Sequence, residues 1–257
     1  MSIIVICAVA LVASCLTFFS GFGLGTILMP AFLLFFPIDT AIALTAVVHL
    51  LNNVLKLIIL FKKAEWNIVF KFGAPAFVSS YLGAKALFML EGVKPLLIYE
   101  LFGREMTVTP VKLTLAVVIA SFVVFESLPL FKRISFPPEY LPAGGFLSGF
   151  FGGLSGHQGA LRSMFLLKCG LDKEAYIATG VIIACLVDFS RIFVYWGYLM
   201  KSQYQDYSTL MILAVLSAFT GVFAGSRLMK KITMATVQVI VSIMLLAISI
   251  LLGFGII

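Results

Sequence analysis

Six stretches of this chain, at about 40–61, 68–90, 112–131, 174–199, 208–229 and 233–257, are almost wholly apolar. A helix of roughly 20 apolar residues crosses the hydrocarbon layer of a bilayer, and each stretch is that long. The rest of the composition agrees: 62% of the 257 residues are hydrophobic and only 11% are Asp, Glu, Lys or Arg. A soluble globule cannot hide so much apolar surface, because its exterior needs polar cover. A soluble enzyme domain, a disordered chain and a nucleic-acid-binding protein are therefore excluded. The formal charge of +7 reads as Lys and Arg flanking the spans on the cytoplasmic side.

Four further apolar stretches are too short to span and come as two interrupted pairs. Residues 2–19 and 26–36 are separated by Ser20-Gly21-Phe22-Gly23-Leu24-Gly25, and residues 141–154 and 160–169 by Ser155-Gly156-His157-Gln158-Gly159. Glycine this dense breaks a helix. Each pair is either a helix broken at depth or a re-entrant hairpin. Counting each as one element gives an all-α polytopic membrane protein of about eight helices. They form two four-helix repeats, residues 1–133 and 134–257, joined near Pro137-Pro138. An offset of 134 pairs Gly25 with Gly159, Ala41 with Ala175 and Thr45 with Thr179. Ser79-xxx-Gly83-Ala84-Lys85 similarly resembles Gly221-xxx-Gly225-Ser226-Arg227, and both are small-xxx-small contact patterns. If 141–169 re-enters, Lys94, Arg104, Lys112 and Lys201 share one side and the other ten loop cations the opposite side. The positive-inside bias favours that division, which makes the second repeat inverted relative to the first.

Three groups of residues carry the candidate site. Broken helices leave free N–H groups and a positive dipole end, a ready anion site that glycine lets a ligand approach closely. Gly21, Gly23, Gly25 and Gly159 supply that backbone, and Ser20, Ser155, His157 and Gln158 add side-chain donors. Arg162 lies in the first turn of the second segment. A cation there opposes the dipole, so an anion shared with the guanidinium is the favoured reason, with snorkelling or pairing to a carboxylate the alternative. The second group is a polar stripe, Thr45, His49, Asn52 and Lys56 with Asn53 at its border, on the helix at 40–61. It faces protein or water, either lining a path or bonding neighbouring helices. The third group is Asp188, Arg191 and Tyr195 on one face of the helix at 174–199. Asp188 and Arg191 either form a structural ion pair, or Asp188 takes a proton and frees Arg191 for a substrate.

The chain resembles the TauE/SafE family, also called the sulfonate uptake permease family. The resemblance is carried by Gly21-Phe22-Gly23-Leu24-Gly25-Thr26-Ile27-Leu28-Met29-Pro30, by Ala43-Leu44-Thr45, and by the run from Gly149 through Gly152-Gly153-Leu154-Ser155-Gly156-His157-Gln158-Gly159 to Ser163. The family pattern is Gly-x-Gly-Gly-Gly with a Pro five residues on, once per half. Here Leu24, His157 and Gln158 replace glycines and Met164 stands at the second Pro position. The resemblance implies export or uptake of small sulfur-containing or carboxylated anions such as sulfite, sulfonates or sulfoacetate.

The function expected is a secondary transporter for a small anion, and not an enzyme. No Gly-rich loop ending Gly-Lys-Ser/Thr is present to bind nucleotide. Proton coupling is the default, with Asp188, His49 and His157 as candidates. An intramembrane enzyme acting on a lipid-linked phosphate, an anion channel and an accessory subunit without a site remain alternatives. No cofactor and no metal site are expected. The partners expected are a small anion and the lipid bilayer, with no nucleic acid and with a homo-oligomer left open. The location expected is the bacterial cytoplasmic (inner) membrane.

Overall fold

The protein is described from a computed structural model over residues 2–17, 23–101, 103–128, 134–199, 207–228 and 234–257. It is 81% helical. The first interrupted pair forms α1 (Ser2–Thr17) and α2 (Leu24–Leu33), followed by α3 (Ile38–Leu60). A short turn, α4 (Trp66–Ile68), runs through a π-helical stretch, Val69–Gly73, into α5 (Ala74–Glu91). Strands β1 (Leu97–Leu101) and β2 (Arg104–Val108) precede α6 (Pro110–Ser127). The second pair is α7 (Leu141–Ser155) and α8 (Gly159–Leu166). Then come α9 (Lys173–Leu199), α10 (Ser208–Leu228) and α11 (Met234–Gly253).

Segments of α3, α6, α9 and α10 are long and apolar enough to cross a membrane. In hydrocarbon every backbone polar group needs an internal partner, and a helix supplies one for each interior residue. The chain is an integral membrane protein. Several helix starts are set by local chemistry. Pro110 takes the first turn of α6, where its missing N–H is not needed, and the Thr109 hydroxyl accepts from the Lys112 N–H at 3.2 Å.

The loop at 91–111 departs from an all-α fold. Leu97 pairs with Val108, and the antiparallel register continues to Leu101 opposite Arg104, with Gly103 at φ 73° in the turn. Its Ile, Tyr, Thr and Val residues favour extended backbone. Tyr99 donates to the Phe254 carbonyl at 2.7 Å and Lys112 to that of Gly255 at 3.3 Å, tying this ribbon to the end of α11.

Both interrupted pairs are helical hairpins rather than kinked through-helices. Leu24 and Ile27 of α2 pack back on Ala13 and Val9 of α1. In the second pair a side chain on Gly152 would meet Gln158, while one on Gly144 would meet the Phe165 ring. The Phe136 N–H also donates to the Met164 carbonyl at 3.0 Å, so the return limb ends beside the entry. In both pairs the second helix therefore packs back along the first.

The dominant helix pairs join residues 1–133 to residues 134–257. α1 packs on α10, α5 on α7, α3 on α9 and α6 on α11. The first two pairs run parallel and are glycine-packed. A Cβ on Gly221 or Gly225 would strike the Leu11 or Cys15 carbonyl. One on Gly145, Gly149 or Gly153 would strike the Phe72, Ala76 or Ser80 carbonyl, and one on Gly83 the Phe150 carbonyl. Lipid gives no hydrophobic push between helices, so such close backbone contact is what holds them. The other two pairs run antiparallel. In α3–α9, Lys63 meets Glu174 at 3.3 Å near one end and His49 meets Asp188 at mid-length. In α6–α11, Ser127 meets Ser242 at 3.5 Å while Gly253 lies against Ala116. The halves therefore interlock rather than stand side by side.

Candidate functional site

The α3–α9 crossing is where the two hairpin tips arrive. On the first hairpin, Gly23 begins α2 at φ 107°, a left-handed conformation that glycine adopts without strain. A Cβ on Gly25, in the first turn of α2, would lie 3.5 Å from the His49 ring, so α2 starts against α3. On the second hairpin α7 stops at Gly156, φ 78°. A Cβ there would be 2.9 Å from Arg191 Nη1, so only glycine admits the guanidinium of α9.

Between the tips the buried polar residues of α3 and α9 meet. His49 Nδ1 lies 2.5 Å from Asp188 Oδ2, and Arg191 Nη2 lies 3.0 Å from Asp188 Oδ1. All three residues are buried. Asp188 thus lies between the His49 ring and the Arg191 guanidinium. Asn53 Nδ2 is 3.3 and 3.4 Å from the two ring nitrogens of His49. An atom equidistant from both cannot lie on either lone pair without meeting Cε1, so the amide sits over the ring face. The Asp188–Arg191 pair was legible as an i, i+3 spacing, and the His49 partner, 139 residues away, was not.

One turn further along α3, Ser14 of α1 donates to Asn52 Oδ1 at 2.8 Å. Asn52 Nδ2 is buried with no partner among the described residues. Lys56 is buried too and makes no ion pair with a described residue; its electrostatic neighbours are Arg162 and Cys185. Arg162 extends from α8 across Gly180, where a Cβ would stand 3.4 Å from its Nε, and its Nη1 donates to Gln158 Oε1 at 3.5 Å. Gln158 is fixed from the other side as well, since the Ser148 hydroxyl donates to its carbonyl at 2.9 Å. Its Nε2 is buried without a partner among the described residues. The polar stripe Thr45, His49, Asn52, Lys56 thus faces protein, and Thr45 Oγ1 is likewise buried and unpartnered among the described residues.

Other expected residues fall differently. His157 Nδ1 lies 3.0 Å from the Ser155 carbonyl, and its ring stacks on Phe122 of α6 with centroids 6.0 Å apart. The Ser155 hydroxyl donates back to the Phe151 carbonyl at 3.0 Å, so its proton is used within α7 and is not offered to a ligand. Gly159 opens α8, and the Arg162 N–H already bonds the Gln158 carbonyl, which leaves the N–H groups of residues 159–161 at the tip. Thr179 turns away and accepts from the Glu65 N–H at 3.0 Å. Ser20 and Gly21 lie outside the described residues. A cavity of about 400 Å³ opens to one side, between the ends of α2 and α5 and the starts of α3 and α6. It reaches Tyr195, one turn beyond Arg191.

Cys185 and Gly180 were not singled out from sequence. Cys185 is i−3 from Asp188 and shares its face, a spacing that could have marked it. Gly180 gave no such signal, because its use depends on a side chain from another helix.

The centre therefore carries three buried cations, Lys56, Arg162 and Arg191, with Asp188 as the one buried carboxylate among the described residues. Like charges brought together in a desolvated centre repel one another. Such a cluster is stabilised by an anion, which the free N–H groups of a helix start also favour. No curated protein and no solved structure matches the chain. The family model described as sulfite exporter TauE/SafE matches residues 6–252, and the chain belongs to that family.

Proposed function

We propose that this protein is a secondary transporter that moves a small sulfur-containing anion, sulfite or an organosulfonate, across the bacterial cytoplasmic membrane. The observation that carries this reading is the excess of buried cations at the place where two hairpin tips converge. The family description, sulfite exporter, supports the sulfur-anion class. An anion entering between the tips is bound by Lys56, Arg162 and the first N–H groups of α8, with Gly23, Gly25 and Gly159 keeping the backbone close.

The reciprocal pairing of α1 with α10 and of α7 with α5, with α3–α9 and α6–α11 antiparallel, fits two inverted repeats about an axis through the α3–α9 crossing. A site on that axis is exposed to either side when one repeat tilts against the other, which is alternating access. Asp188 couples the cycle to protons. His49 and Arg191 both hold its carboxyl group. On protonation it loses its charge, its grip on Arg191 weakens, and the guanidinium turns to the anion.

The test is flux into proteoliposomes of the purified protein. Arg162→Ala is expected to lower sulfite flux by at least about 100-fold, the scale of removing one charged hydrogen bond from a desolvated site, while the protein elutes as a folded species. Unchanged flux in that variant would remove Arg162 from the path.

A further inference from the structure

Small residues bring α5 and α9 close together, and larger ones stand on either side of the seam. The two helices run parallel. A Cβ on Gly73 would lie 3.0 Å from Leu186, and the Ser190 hydroxyl donates to the Phe77 carbonyl at 2.8 Å. The Ser80 hydroxyl reaches the Val187 carbonyl at 3.5 Å. A groove of about 490 Å³ lies over this seam, enough for one acyl chain. Its walls are Phe77, Val78, Tyr81 and Leu82 of α5 with Phe189 and Phe193 of α9, and Ser190 lies at its floor. The wall residues are exposed, Phe193 at 70%, whereas Ser190 is buried. The groove is therefore on the outer side of those turns of α9 whose inner side holds the buried Asp188 and Arg191. It is separate from the anion path.

A charge stands at one end of this groove. Lys85 follows Tyr81 by one turn of α5, and its Nζ lies 5.9 Å from the centre of the Tyr81 ring. Lys85 is exposed and makes no ion pair with a described residue. An ammonium over a ring face still has N–H donors to offer. α5 ends at Glu91, so Lys85 is about 9 Å of helix short of that end, and the groove residues lie deeper. A lysine so placed lays its stem along apolar surface and keeps its charge at headgroup level. A cation with an apolar groove leading inward from it matches the two parts of a phospholipid.

We propose that an anionic phospholipid occupies the α5–α9 groove, with one acyl chain between the aromatic walls and its phosphate on Lys85.

Native mass spectrometry of the full-length purified protein in detergent tests this, with added phosphatidylglycerol or phosphatidylcholine of the same acyl chains. One phosphatidylglycerol per chain is expected to be retained, about fivefold more tightly than phosphatidylcholine, the scale of one lysine beside an anionic lipid. Lys85→Gln is expected to bring that preference close to one. Lys94→Gln, which removes a cation from the following loop, is expected to keep it. Val78→Trp, at an exposed wall position, is expected to fill the groove and abolish the retained lipid while the protein stays folded. Equal retention of the two lipids by the unaltered protein, or an equal fall in preference in both lysine variants, overturns the placing of the headgroup on Lys85. Full retention in Val78→Trp overturns the groove. A lipid-free dimer that Val78→Trp dissociates overturns the lipid as occupant and puts a second copy of the chain in its place.

Discussion

The two hairpins serve one architectural purpose with different chemistry. In the first, the described tip is glycine, and the charge beside it comes from another helix: His49, Asn52 and Lys56 all sit on α3. In the second, the tip brings its own polar groups, His157, Gln158 and Arg162, and it is buttressed by Ser148 and Phe122. The outer limbs differ less. α1 meets α10 through Gly221 and Gly225, and α7 meets α5 through Gly145, Gly149, Gly153 and Gly83. Backbone packing can be duplicated across a fold while electrostatics are not, because glycine contacts depend only on shape and a binding charge need be supplied only once.

The largest expected effect lies in the limbs. Gly149→Val places a side chain onto the Ala76 carbonyl and Ser79 Oγ, where neither backbone can yield. It is expected to cost more than about 3 kcal/mol, beyond ordinary overpacking, and to be seen as a missing folded peak on size-exclusion chromatography. Gly221→Val, at the matching position on α10, is expected to be comparably damaging, since it meets the Leu11 carbonyl. If one variant is tolerated and the other is not, the likeness of the limbs fails.

At the tips the outcomes should diverge. Gly156→Ala forces a left-handed residue to carry a Cβ 2.9 Å from Arg191 Nη1. A loss of about 1–2 kcal/mol in thermal stability and a clear fall in flux are expected. Gly25→Ala meets only ordinary contact with the His49 ring at 3.5 Å. It is expected to change stability by less than about 0.5 kcal/mol and to leave flux nearly unchanged. A Gly25→Ala defect as large as that of Gly156→Ala would erase the contrast.

The smallest effect is expected at Ser14. Ser14→Ala removes the donor to Asn52 Oδ1. A buried hydrogen bond contributes about 1 kcal/mol, so a modest drop in melting temperature is expected, together with weaker anion binding as the Asn52 amide loses its fixed orientation. Binding unchanged in Ser14→Ala would show that Asn52 is held by its helix alone.

Several of these elements were legible in the sequence. Four of the six expected spans are helices long and apolar enough to cross a membrane, the second glycine break separates α7 from α8, and the polar stripe Thr45, His49, Asn52 and Lys56 is buried. Ser79-xxx-Gly83 and Gly221-xxx-Gly225 were readable as contact patterns and do make contacts. The stripe Gly145, Gly149, Gly153 carries the same spacing, but nothing local tells a packing stripe from a flexible one. The β-ribbon at 97–108 was missed because in a chain so apolar a short alternating segment is hidden among helical signals.

By itself the sequence determined that the chain lives in a membrane, where it breaks, and which polar residues sit at depth, because each of these is a property of neighbours within a few turns. Tertiary structure decided that both breaks are hairpins, that α1 belongs with α10 and α7 with α5, and that His49 of one half holds Asp188 of the other. It also decided that Gly180 seats Arg162 and that Gly156 admits Arg191. Those facts depend on which helix faces which. Apolar helices in lipid carry little information about partners beyond the shape of their small residues, so the choice is made only when all of them pack at once.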